Sequence, residues 1–112
     1  MGTTDQPPDL LPGTLDLLIL RILQSGTMHG YGIAQHLRTR SDEVLQVGES
    51  SLYPALQRLL LNEWVKAEWG TSDNNRRARY YTLTATGRKR LTHEREQFSQ
   101  MILAINKVLD TA

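Results

Sequence analysis

The chain has 112 residues, 39% hydrophobic and 22% charged, with no cysteine and a formal net charge of +1. This composition suits one ordinary globular domain, small enough that pairing with another chain is a natural way to enlarge its core, and it excludes disulfide frameworks, thiolate metal sites and cysteine nucleophiles. The near-neutral total hides a concentrated band. Arg76, Arg77, Arg79, Arg88, Lys89 and Arg90 stand between Asp73 and Glu94 with no acid among them, leaving seven basic against twelve acidic residues elsewhere.

Residues 1–11, mostly polar and carrying Pro7 and Pro8, are expected to form a flexible arm. They hold no basic segment ahead of an apolar stretch, so no secretory signal is expected. A first helix is predicted within "PGTLDLLILRILQSG", with Gly13 or Thr14 near its N-cap and Gly26 at its far end. Asp16 and Arg21 interrupt its apolar run, which is much shorter than the roughly 20 residues of a bilayer span. A cytoplasmic protein with no membrane partner is therefore expected. The apolar positions cover more than one stripe, and such a helix needs burial on two sides. Leu15, Leu18 and Ile22 are assigned to a partner chain.

A second helix is predicted from about Gly30 to Arg40, with Ile33 and Leu37 inward. After the connector "EVLQVGE" comes "SSLYPALQRLLL". Proline is tolerated in the first turn of a helix, where its missing N–H would have no partner anyway. Pro54 thus predicts a start between about Ser50 and Tyr53, with Ser50 or Ser51 as cap. At about 100° per residue, Leu52, Ala55, Leu56, Leu59 and Leu60 share the inner face. The outer face presents Ser50, Pro54, Gln57 and Arg58, with Tyr53 at its edge.

"WVKAEWGTSDNNRRARYYTLT" reads as a β-hairpin: two aromatic and β-branched runs, Trp64–Trp69 and Arg79–Leu83, flank the turn cluster "GTSDNN". Arg76, Arg77 and Arg79 fall on its tip and returning strand. From Thr84 a last helix is predicted to about Leu109, about 38 Å long at 1.5 Å per residue. Leu91, Phe98 and Ile105 recur every seven positions, Met101 and Val108 fill the alternate seam, and Ile102 and Leu109 lie beside it. Such a stripe predicts pairing with the same helix of a second chain, a homodimer; folding back over its own domain is the alternative.

The predicted fold is mainly α with a β-hairpin wing: a winged helix-turn-helix over residues 12–83, then a dimerisation helix over 84–112. In that arrangement the third helix enters the major groove by its N-terminus and the hairpin reaches an adjacent groove or backbone. Small polar groups at the helix start let N–H groups and hydroxyls approach phosphates, and Gln57 and Arg58 stand deeper, toward base edges. Double-stranded DNA is the expected partner. Arg88, Lys89 and Arg90 fit either phosphate contact or tolerated surface charge.

Taken together, "GTLDLLILRIL", "MHGYGIAQHL", "SLYPALQRL", "WVKAEWG", "NNRRARYYTLT" and "TGRKRL" resemble the PadR family of bacterial transcriptional regulators, in order and over nearly all of residues 12–110. The resemblance implies a winged-helix homodimer built by the first and last helices. It also implies repression of a nearby promoter through a pseudo-palindromic operator. Several members release DNA on binding a small aromatic or amphipathic effector. It places DNA-facing positions at Tyr31, Ser51, Tyr53, Pro54, Arg76, Arg77 and Arg79. Two positions depart from the family pattern, which has glycine where Ser50 and Glu63 stand. Glycine enters a left-handed C-cap freely; Asn62 is the expected substitute.

Other chemistry finds little footing. His29, His36 and His93 form no i, i+4 pair, so no metal is expected. "HGYG" lacks the longer glycine pattern and the preceding strand of a phosphate cradle. Ser50 and Ser51 have no oriented base or acid. No catalytic residue, cofactor or enzyme activity is therefore expected. Two other classes stay open: a winged helix that binds another protein, and a small-molecule-binding dimer without DNA function.

Overall fold

The computed structural model describes Leu10 and residues 13–112; Leu10 aside, the arm expected at residues 1–11 lies outside them. The element order is α1 (Thr14–Gln24), β1 (Met28–His29), α2 (Gly30–Arg40), α3 (Glu49–Leu61), β2 (Val65–Thr71), β3 (Arg77–Leu83) and α4 (Ala85–Asp110). This is a winged helix-turn-helix followed by one long helix, as expected. No helix of the described residues is long and apolar enough to cross a membrane.

The demand of α1 for burial on two sides is met inside the chain. Leu15, Leu17, Ile19, Leu20, Ile22 and Leu23 are all buried, because α2, α3, β3 and the start of α4 pack around the helix. Two residues reserved for a partner, Leu15 and Ile22, are thus core of the single chain, and so is Leu91 at 2% exposure. The first turns of α4 occupy the side of α1 that was expected to meet another subunit. Leu18 remains half-buried.

The α2 helix has the expected limits. His29 Nδ1 caps it by accepting the Gly32 N–H at 3.0 Å. The strand β1 was not expected: Met28 pairs with Tyr81 and His29 with Tyr80, making the sheet order β1-β3-β2. Two residues are too few to display a two-residue period, so the strand exists only because β3 offers an open side.

The α3 helix starts earlier than Pro54 suggested. Gly48, in an extended conformation, is its N-cap, neither serine caps it, and Pro54 is its sixth residue. The local rule loses on magnitude. Proline inside a helix costs about 3 kcal/mol, whereas burying Leu52, Leu56 and Leu59 contributes about 1.5–3 kcal/mol each. At the other end Asn62 stays right-handed at φ −86°, and Glu63 itself is left-handed at φ 59°. Trp64 N–H donates to the Leu59 carbonyl and Glu63 N–H to the Leu60 carbonyl, each at 3.0 Å. That Schellman pairing assigns the left-handed conformation to the residue after the C-cap, which is Glu63 and not Asn62. A side chain there costs about 1–2 kcal/mol. Glu63→Gly is therefore expected to raise the unfolding free energy by about 1 kcal/mol, after the greater freedom of glycine in the unfolded chain is offset. Urea titration checks this as a higher midpoint with an unchanged slope.

In the wing, β2 and β3 pair from Val65↔Leu83 to Thr71↔Arg77. Both strands extend two residues further toward the tip than expected, leaving a turn at 72–76. There Ser72 N–H donates to the Arg76 carbonyl at 2.7 Å and Asn75 N–H to the Ser72 carbonyl at 2.9 Å. Thr84 caps α4, its Oγ1 accepting the Gly87 N–H at 2.9 Å. From Arg95 onward every residue of the chain is exposed.

Candidate nucleic-acid interface

The wing owes its chemistry to strand register. Alternation puts Val65, Ala67, Trp69 and Thr71 on one sheet face, opposite Leu83, Tyr81, Arg79 and Arg77. The first members of each row close the core: Val65, Tyr81 and Leu83 are buried. The same face runs past the core and becomes an exposed edge bearing Trp69, Arg79, Thr71 and Arg77. The Arg77 guanidinium lies 4.7 Å from the centroid of the Trp69 ring, a cation–π stack that holds its charge on this edge. Arg76, in the turn, is also exposed.

The start of α3 approaches this edge through Tyr53. A Cβ at Gly30 would stand 3.0 Å from Tyr53 Oη and 3.2 Å from its Cε1. The absence of a side chain at the first residue of α2 is what lets the ring settle there. Burial pushes the Tyr81 phenol above its ordinary value, Arg79 pulls it the other way, and Tyr53 adds to the rise. Tyr53, Tyr81 and Arg79 are thus neighbours, joining α3 to the wing. On α2, Tyr31 is 67% exposed and its Oη accepts from Gln35 Nε2 at 3.2 Å. Together with Gln46, Gly48, Glu49 and Tyr53 these residues line an open groove of about 570 Å³ between α2 and the start of α3.

The predicted site residues therefore sort clearly. Tyr31, Ser50, Ser51, Tyr53, Pro54 and Gln57 are exposed on α2 and α3, and Arg76, Arg77 and Arg79 on the wing. Pro54 offers no N–H to the Ser50 carbonyl, which leaves an acceptor on the outer face of α3. Arg58 is the exception. Its Nη2 donates to Asp16 Oδ1 at 2.8 Å and its Nε to Asp16 Oδ2 at 3.2 Å, so its guanidinium faces α1 and not the outer face with Gln57. Arg90 is also committed, stacked 4.8 Å over the Trp64 ring and paired with Glu94. Arg88 and Lys89 are exposed at the base of the wing, a strand length of about 20 Å from Arg77. The Tyr53–Gly30–Tyr81 junction and the Trp69–Arg77 stack escaped the sequence reading. Neither leaves a mark in the sequence, because each joins residues that only packing or strand register brings together.

A second surface lies on α4. Phe98, Met101, Ile102, Ile105, Val108 and Leu109, all assigned to the seam between chains, are exposed, and so is Leu103, which the seven-residue period did not include.

The model of the transcriptional regulator PadR-like family matches residues 19–93, from the middle of α1 through the first turns of α4. A transcriptional regulator from Clostridium thermocellum is 33% identical with a TM-score of 0.78, over 85% of this chain and 92% of that one. A PadR family transcription regulator from Clostridium difficile is 28% identical with a TM-score of 0.75, over 87% and 99%. An uncharacterized protein from Lysinibacillus sphaericus is 29% identical over 93 residues, 83% of this chain and 85% of that protein.

Proposed function

Since the chain belongs to the transcriptional regulator PadR-like family, we propose that it is a cytoplasmic, sequence-specific DNA-binding repressor acting as a homodimer on a pseudo-palindromic operator. The observation that carries this reading is the meeting of two unlike surfaces at Tyr53. One is the polar start of α3, which no side chain caps; the other is the wing edge that bears Arg77 and Arg79. Ser50, Ser51 and the first N–H groups of α3 meet phosphates, where a helix N-terminus favours anions. Tyr53 and Gln57 meet base edges, and Tyr31 meets the flanking backbone. Arg76, Arg77 and Arg79 add charge from the wing. Residues 12–83 do this work and residues 84–112 pair the chains. Release by a small aromatic or amphipathic effector completes the proposal, its place being the seam formed by Leu18, Phe98 and Met101.

The test is a titration of the purified protein on the DNA upstream of its own gene. With about six phosphates neutralised per dimer, log affinity should fall against log salt with a slope near −5. Arg77→Ala should weaken every sequence alike and reduce that slope by about one per copy, whereas Gln57→Ala should change the ranking of operator variants. A flat salt response would point to a protein partner instead. Quenching of Trp64 or Trp69 by small aromatics without DNA binding would point to a ligand-binding dimer.

A further inference from the structure

We infer that Arg58 and Asp16 form a positioning clamp that sets the reading helix α3 on α1, so that Arg58 serves DNA recognition through the placement of α3 and not by touching bases. The inference rests on the DNA-binding reading above and assigns a role that reading leaves empty. Both Asp16 oxygens are engaged by two nitrogens of one guanidinium, at 2.8 and 3.2 Å. A forked pair of this kind fixes orientation as well as distance. The residues are 42 positions apart, so the contact joins two elements that the chain itself links only through β1, α2 and the α2–α3 connector.

The placement of each ion is favourable on its own helix. Asp16 lies in the first turn of α1 and Arg58 in the last turn of α3, where the helix dipoles favour an anion and a cation respectively. Asp16 holds the guanidinium above its already high ordinary value, chiefly through the side-chain hydrogen bond. Arg58 also sits about 13 Å along α3 from Glu49, whereas DNA is approached by the first turn. The apolar inner face of α3 resists separation from the core but is non-directional. The fork supplies the direction. Because the Arg58 side chain is about half exposed, the pair should matter little to global stability, which makes its effect on binding separable.

The experiment compares wild type, Asp16→Ala, Arg58→Met and the double variant, each first confirmed folded at the assay temperature by circular dichroism. Affinity for the operator and for a panel of base-substituted operators is then measured. A clamp predicts that both single variants lose about five- to tenfold in affinity, that the double variant is no weaker than either, and that the ranking of the panel is unchanged. If Asp16→Ala binds as well as wild type or better, while Arg58→Met reorders the panel, Arg58 reads bases and the inference is wrong. Equal binding by all four proteins overturns it too. Should wild type bind no duplex, the functional reading fails and the clamp is judged without DNA. The chain has no cysteine, so spin labels at Gln24→Cys on α1 and Leu61→Cys on α3, diluted with unlabelled chain, report the placement of one helix on the other. A distance distribution that broadens in Asp16→Ala supports the clamp, and one that does not overturns it.

Discussion

Replacing Gly87 by alanine is expected to lower the unfolding free energy by about 3 kcal/mol or more, at or beyond the upper end of overpacking costs. A Cβ at this position would stand 1.9 Å from the Trp64 carbonyl oxygen, 2.8 Å from its carbon and 2.9 Å from Leu83 Cδ1. Two of those three atoms are backbone, so no rotamer change relieves the clash. The backbone concerned is also fully occupied. The Trp64 carbonyl accepts the Thr84 N–H at 3.1 Å, and the Trp64 N–H closes the end of α3 on Leu59 at 3.0 Å. Moving Trp64 away from α4 would break one or both bonds, and moving α4 would strip Leu91 of its cover.

The predicted loss corresponds to a fall in melting temperature of about 10–15 °C for a chain of this size. Gly32→Ala is the internal control: the nearest atom to a Cβ there is 3.5 Å away, so ordinary contact results. A Gly87→Ala protein that melts with wild type would show that the corner between α3, the wing and α4 can open without cost. That corner is where α3 ends, the hairpin begins and the long helix starts, so the relative aim of all three depends on it.

The sequence made the helices and hairpin legible because each carries a period long enough to read. The limits of α2 and the start of α4 after Thr84 follow from such patterns with local caps. What failed shares one cause: a period tells which face of an element is buried, not against what. Leu15, Ile22 and Leu91 were correctly apolar and assigned to a partner chain, yet they are buried within the single chain, because the docking of α4 on α1 decides what covers them. Arg58 falls on the outer half of a helical wheel, but a carboxylate 42 positions away turns it toward α1. Pro54 obeyed a local rule that three buried leucines outweighed, and Glu63 took a left-handed conformation that hydrogen bonding across the helix end imposed. For the site, residue identity found the exposed polar start of α3 and the arginines. Register was needed to show that Trp69, Arg77 and Arg79 share one edge.

The largest functional loss is expected from charge on α4. Ile102→Glu with Ile105→Glu should convert a dimer into a folded monomer and reduce operator affinity by about 10²- to 10⁴-fold, the advantage that linking two binding units confers. The apolar stripe of α4 begins in the chain's own core at Leu91 and continues onto a surface that no other element covers among the described residues. Six large apolar side chains, Phe98, Met101, Ile102, Ile105, Val108 and Leu109, are exposed there, more than a lone soluble domain ordinarily leaves to water in one place. Under the proposed homodimer a second copy of α4 would supply the cover, and two chains so joined would present two α3 helices to one duplex. Two glutamates per chain would bury four unpaired carboxylates in that seam, each at a cost of several kcal/mol. The same substitutions touch only exposed positions of the single chain, so its circular dichroism and melting should change little. Sedimentation equilibrium reads the oligomeric state and a gel-shift titration reads affinity. A variant that stays dimeric would move the joint between subunits to another face, and a monomer that holds the operator as tightly as wild type would mean that a single α3 and wing suffice.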